Sequence, residues 1–156
     1  VDALPIAFSG ISLQEGEEHG NEVFDKHYGT LFDAYERQNR VFQWSAAAAP
    51  LLVTRGLSMG LSGTDFGQHR HFVTAAESYR RGIQRTLNGA IATNQKPGQT
   101  YLAGRELWDQ VAPFTYEPPS TGWVLGQYAP AQAVLGVWLA GAVALLVRAA
   151  STALVD

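Results

Sequence analysis

From Ala133 to Val147 the sequence runs AVLGVWLAGAVALLV, apolar on every helical face, with Arg148 directly after it. A helix without a polar stripe needs apolar surroundings on all sides, and in so small a chain a core helix would normally keep such a stripe. Residues 131–147 would cover about 25 Å, short of a hydrocarbon core of roughly 30 Å; extending the helix back to Trp123 adds two turns and completes the crossing. Trp123 and Tyr128 would then be aromatic anchors at one interface. Arg148 would mark the other as cytoplasmic, which puts the residues before Gly122 outside the cytoplasm. The competing reading is a buried central helix of a soluble bundle, because Gln127, Pro130 and Gln132 interrupt the run. The expected division is an extracytoplasmic helical domain over 1–121, a transmembrane helix over 122–150 and a cytoplasmic tail over 151–156.

A net charge of −3 gives no electrostatic reason to expect nucleic acid or an anionic membrane surface as a partner. The absence of cysteine removes disulfides, thiol catalysis and thiolate metal sites. The first residues, VDALPIAFSGISLQ, lack the basic n-region and apolar core of a signal peptide. The expectation is therefore that an upstream membrane helix precedes Val1 and that the chain is a fragment of a longer protein.

Between Glu17 and Trp44, Phe24, Tyr28, Leu31, Tyr35 and Phe42 recur at helical spacing, with Gln38 filling one turn. From Asp65 to Asn94 the pattern repeats through Phe72, Ala76, Tyr79, Ile83, Leu87 and Ile91, with Thr64 as the expected N-cap and Pro97-Gly98 beyond the end. Two helices of about 42 Å each can lie antiparallel, and the spacing predicts that Phe24, Tyr28, Leu31 and Tyr35 seal against Phe72, Tyr79, Ile83 and Leu87. The charges agree. The first forty residues hold eight acids against three bases, whereas Arg70, Arg80, Arg81, Arg85 and Lys96 follow with only Asp65 and Glu77 among residues 41–100.

Between the long helices, Pro50 can start a short helix running to Leu61, whose Leu51, Leu52, Leu57, Met59 and Leu61 either cap the hairpin or touch lipid. Beyond Asn94 one helical turn is expected over 105–111. An extended collar follows, in which Pro113, Pro118 and Pro119 forbid regular structure and Trp108, Phe114 and Tyr116 pack back onto the hairpin. The fold class is thus all-α: a long antiparallel hairpin, a short connecting helix, a Pro-rich collar and a C-terminal transmembrane helix.

Chemistry is sparse. His19 with Glu22, and Asp65 with His69, could each share a helix face and offer two metal ligands. His71 cannot join His69, because a two-residue step turns a helix by about 200°. The structural reading is favoured for both pairs: His19 solvated at the start of its helix, His69 bonded to Asp65, and Gly63-Thr64-Asp65 fixing where the second long helix begins. No catalytic, cofactor-binding or metal residue is assigned. The glycine clusters lack the Lys-Ser/Thr pair of a phosphate loop, and no serine lies in a nucleophile elbow.

The order LPIAFSGISLQEGEEHGNEVFDKHYGTLFDAYERQ, the proline-started helix from Pro50 to Leu61, LSGTDFGQHRHFVTAAESYRR, then an aromatic collar into a last hydrophobic span, resembles the permease subunits of ABC-2-type ABC transporters. It is most similar to the subgroup with a large helical extracytoplasmic region before the final membrane helix. Leu61-Ser62-Gly63-Thr64-Asp65 with His69, Arg70 and Phe72 is the sharpest block. The resemblance implies a non-enzymatic permease component of a bacterial inner membrane. It would work with a separate ATP-binding cassette subunit and a second permease copy, and it offers no catalytic residues to carry over. The chain departs from a complete permease in having one span where several are expected. Two other classes remain in view: a membrane-tethered periplasmic binding or scaffold module, and a metal-dependent hydrolase using His19, Glu22, Asp65 and His69.

Overall fold

The computed structural model describes residues 7–45, 48–96 and 99–153, and every regular element among them is helical. The order is α1 (Ala7–Ser45), α2 (Pro50–Leu61), α3 (Phe66–Asn94), α4 (Arg105–Trp108), α5 (Thr121–Gln127) and α6 (Ala129–Ala153). This is the expected all-α class, with the long hairpin, the connecting helix, the collar and a C-terminal apolar helix. Expectations about Val1, Pro97-Gly98 and the end of the tail lie outside the described residues.

Local chemistry sets the joints. Pro50 opens α2 at its first turn, where its missing N–H costs nothing. At the other end the Thr64 amide donates to the Met59 carbonyl at 2.9 Å and the Gly63 amide to the Gly60 carbonyl at 3.2 Å. This is a Schellman closure, and it requires the left-handed backbone that Gly63 adopts at φ 74°. Thr64 therefore finishes α2 and does not cap α3: its hydroxyl lies 3.3 Å from the Met59 carbonyl. The cap of α3 is Asp65, whose Oδ1 accepts from the Gln68 amide at 2.9 Å.

The described residues form two compact units, those within 1–32 and 72–117 and those within 33–71 and 118–156. In the first, the start of α1 meets the end of α3 and the middle of α1 meets its middle: Ser9 pairs with Gln95 just past α3, Gln14 with Asn88, Asn21 with Arg80 and Asp25 with Arg81. Gly10 permits the closest approach, since a Cβ there would lie 2.4 Å from the Ala92 nitrogen. The expected sealed apolar seam is not present in this unit. Tyr28 is 45% exposed and Phe72 44%. Phe72 turns instead to Phe114 and Tyr116 of the collar, at ring separations of 6.1 and 5.1 Å, and Tyr79 meets Phe114 at 5.1 Å. Arginines and their acids occupy the space between the helices, which leaves the aromatic face of α3 to the collar.

In the second unit, α2 packs against α5 and the first turns of α6, burying Val53, Val124, Tyr128 and Ala131. Tyr35 of α1 meets Phe66 edge-on at 5.4 Å, and Arg70 pairs with Glu36 at 2.5 Å and Asp33 at 3.6 Å. A single helix from Trp123 to Val147 does not form. Tyr128 breaks the run at φ −99° and ψ 9°, because Pro130 has no N–H to continue the ladder. The Gln132 side chain donates to the Leu125 carbonyl at 3.0 Å, satisfying an acceptor that the break exposes.

α6 is long and apolar enough to cross a membrane without help from α5. Its 25 residues give about 37 Å of rise, and Ala129 to Arg148 gives about 28 Å, close to a hydrocarbon core of roughly 30 Å. Every residue from Gly136 to Ala153 is exposed. Within this chain α6 is therefore not the buried core helix of a bundle.

Candidate functional site

The densest arrangement of buried polar groups lies in the second unit, at the foot of α6. Asp65 is 8% exposed and uses both carboxylate oxygens: Oδ1 holds the Gln68 amide and Oδ2 accepts from the Tyr128 hydroxyl at 2.8 Å. Gln68, also buried, donates through Nε2 to the Gly60 carbonyl at 3.1 Å. Burial, reinforced by the neighbouring Asp65 carboxylate, raises the Tyr128 pKa well above its ordinary value of 10.0. The phenol thus stays protonated and donates at any physiological pH.

The Tyr128 ring lies against the glycine edge of α2. A Cβ on Gly56 would come within 3.2 Å of the ring, and one on Gly60 within 2.6 Å of it and 3.0 Å of Val124. Trp123 sits similarly over Gly67, 3.3 Å from where its Cβ would stand, and meets His71 at 6.4 Å. Ser120 starts α5 by accepting from the Trp123 amide at 3.2 Å. Two neighbouring aromatics before α6 are thereby seated on bare backbone, and one is hydrogen-bonded to the cap of α3. The root of the apolar helix is held by a polar joint inside an apolar fit.

Beside this joint opens a cavity of about 430 Å³, walled by Arg40, Gln43 and Trp44 of α1 and by Pro130, Ala131 and Val134 of α6, with Asp65 and Tyr128 behind. Glu36 also faces it, and its carboxylate is paired with Arg70.

The residues weighed from sequence as metal ligands fall differently. His19 and Glu22 are exposed on α1 in the first unit, whereas Asp65 and His69 belong to the second. His69 is exposed and reaches Asp65 only through its amide, which donates to the Asp65 carbonyl at 3.1 Å. The expected side-chain bond between them is replaced by the bond from Tyr128. Among the described residues no group of three or more His, Asp or Glu is placed to hold a metal ion. Sequence reasoning placed Tyr128 at a membrane interface and missed its bond to Asp65. The only signal available was an isolated acid after Gly-Thr and a tyrosine before Ala-Pro, 63 residues apart.

No curated protein matches the chain. No solved structure matches it either. A family model described as "Domain of unknown function (DUF3526)" matches residues 1–117, covering α1 to α4 and the collar as far as Glu117. With most of its length inside that match, the chain belongs to the DUF3526 family.

Proposed function

We propose that the chain is the extracytoplasmic domain and last membrane span of an ABC transporter permease subunit, working with a separate ATPase subunit and a second permease copy. The observation that carries this reading is α6: it is apolar throughout, exposed from Gly136 to Ala153, and rooted by the Tyr128–Asp65 bond in a folded helical domain. A helix so exposed needs lipid or other membrane helices around it. A domain clamped to one end of a span can pass the movement of that span to whatever the domain contacts. Transport energy would enter through the separate subunit, consistent with the absence of a phosphate loop in this sequence.

Expression of the gene that carries this segment, with a reporter fused after Asp156, tests the topology. The expected result is a reporter active only in the cytoplasm, with an ATP-binding cassette protein co-purifying from detergent. A reporter active only outside the cytoplasm overturns the orientation. A full-length sequence without further hydrophobic spans, and no ATPase partner, leaves the alternative of a membrane-tethered periplasmic binding or scaffold module.

A further inference from the structure

Between Arg40 and Arg55 the sequence holds no charged residue, and this run joins the end of α1 to the start of α2. Large apolar side chains are bare on both helices: Val41 and Trp44 on α1 are 70 and 69% exposed, and Leu51 on α2 is 78% exposed. Trp44 also lines the cavity that Ala131 and Val134 of α6 wall from the other side, so the end of α1 lies level with the first turns of α6.

The packing of α2 fixes its level more closely. Gly60 lies beneath Val124 and Tyr128, Gly56 beneath Tyr128, and Val53 packs with Ala131, with Leu52 and Leu135 against that pair. Falling numbers on α2 thus meet rising numbers on α5 and α6, and the first turn of α2 points along α6 toward its apolar middle. Leu135 stands about 9 Å along α6 from Ala129 and about 20 Å from Arg148. With a hydrocarbon core of roughly 30 Å beginning at Arg148, Leu135 and the turn beside it lie about 10 Å beneath the outer edge. Arg55, between Val53 and Gly56, is level with Tyr128 to Ala131, where the apolar helix begins. The long arginine stem lets its charge rise from there to the head groups.

We propose that the junction of α1 and α2 is a second membrane contact of this chain: Val41, Trp44 and Leu51 enter the outer leaflet beside α6, while Arg40 and Arg55 stay at the head groups. Lipid is favoured over a covering protein because the apolar run ends at an arginine on each helix, and on α2 that arginine stands at the height where the span begins. The contact needs no particular head group. It rests on the reading of α6 as a span, which sets the depth.

The chain has no cysteine, so a nitroxide can be attached at one chosen position. The test uses the full chain in phosphatidylcholine vesicles, labelled in separate samples at Leu51→Cys, Ser58→Cys, Leu61→Cys, Leu102→Cys or Val137→Cys, all of them exposed positions. Electron paramagnetic resonance compares collisions with oxygen, which concentrates in lipid, against collisions with a water-soluble nickel chelate. The expected oxygen-to-nickel ratio at Leu51 is severalfold above that at Leu102 in the first unit and close to that at Val137 in α6, and it falls from Leu51 through Ser58 to Leu61. A ratio at Leu51 no higher than at Leu102, a rise toward Leu61, or protection of Leu51 from both reagents, which marks a protein cover, overturns the lipid contact. Val137 separates the two readings. If Val137 meets lipid and Leu51 does not, only the junction contact falls; if Val137 is as open to nickel as Leu102, the span reading falls and the junction contact with it.

Discussion

Each unit is held together internally, and by opposite means in the two. In the first, α1 and α3 meet through the tips of long polar side chains: Arg80 reaches Glu17, Asn21, Gln84 and Glu77, and Arg81 reaches Asp25 and Glu77 while lying over the Phe24 ring. In the second, α2, α5 and α6 meet where side chains are absent or small, so that rings and backbone touch. These ion pairs are open to solvent at Asp25 and at the Arg80 side chain and partly buried at Glu77; pairs that solvent reaches contribute about 1 kcal/mol or less each and weaken with salt. A buried hydroxyl–carboxylate bond is costly to leave unmade, and close packing resists small changes of volume. The comparison assigns rigidity to the foot of the apolar helix and tolerance to the first unit.

The largest expected effect follows from removing the carboxylate that joins α3 to the root of α6. Asp65→Ala deletes a helix cap, costing roughly 0.5 to 2 kcal/mol. It also strands the buried Tyr128 hydroxyl, costing about 1 to 3 kcal/mol more. Thermal melting in detergent should show the combined loss, and hydrogen exchange should show it concentrated in α5 and the first turns of α6. A melting temperature equal to the parent's breaks the comparison, because the joint would then be no firmer than the ion pairs.

The joint also marks where reading the sequence stopped. Pro50, Gly63 and Asn94 act locally, so the bounds of α2 and the end of α3 were legible from residue type. The start of α1 at Ala7 was not, since Gly10, Gly16 and Gly20 weaken the helical signal and Gly10 is explained only by its approach to Ala92. Periodicity correctly identified apolar faces on α1 and α3 and misassigned what covers them. It reports which face is apolar and says nothing of whether a facing helix or a collar lies on it. The break at Tyr128 was hidden for a related reason. Trp123 to Val147 is apolar enough to read as one helix, and only Gly67 of α3 beneath Trp123 and Gly56 and Gly60 of α2 beneath Val124 and Tyr128 show why these residues belong to the folded unit.

Glycine substitutions sharpen the contrast, because they should differ in sign. Gly60→Ala places a methyl group 2.6 Å from the Tyr128 ring, and overpacking of about 1 to 3 kcal/mol should exceed the helix-propensity gain of up to about 1 kcal/mol. Gly82→Ala in the first unit meets nothing within 4 Å and should keep that gain. Melting both variants under one condition decides the matter. If Gly60→Ala stabilises as much as Gly82→Ala, the α2–Tyr128 contact is loose and the second unit loses its claim to rigidity.

Phe72→Ala measures the collar. A fully buried phenylalanine would cost about 3 to 5 kcal/mol to truncate. At 44% exposure, Phe72 should cost about 1 to 2 kcal/mol. Limited proteolysis across residues 111–117 should detect the change before melting does, because the ring holds the collar through Phe114 and Tyr116. A loss as large as that of a buried ring would mean that the collar is core.

The smallest effect is the most specific in its pH dependence. Glu77 accepts from Arg80 at 2.7 Å and from Arg81 at 2.9 Å, and these bonds, Arg80's first, hold its pKa below the ordinary 4.5. Because the folded value lies below the unfolded one, the unfolded chain takes up the proton first as pH falls. The stabilisation is therefore complete above about pH 4.5 and is lost as the pH drops through the lowered folded value. Glu77→Gln should cost at most about 1 kcal/mol at neutral pH, less in high salt, and the difference from the parent should shrink below pH 4.5. Asp65→Ala keeps most of its penalty in high salt, since a buried hydrogen bond is screened less than a partly buried ion pair whose arginines solvent reaches. Parallel melts at low and high salt, near neutrality and near pH 3.5, separate the two kinds of contact. A Glu77→Gln penalty that ignores both salt and acid would show that the first unit is also held by buried, desolvated contacts.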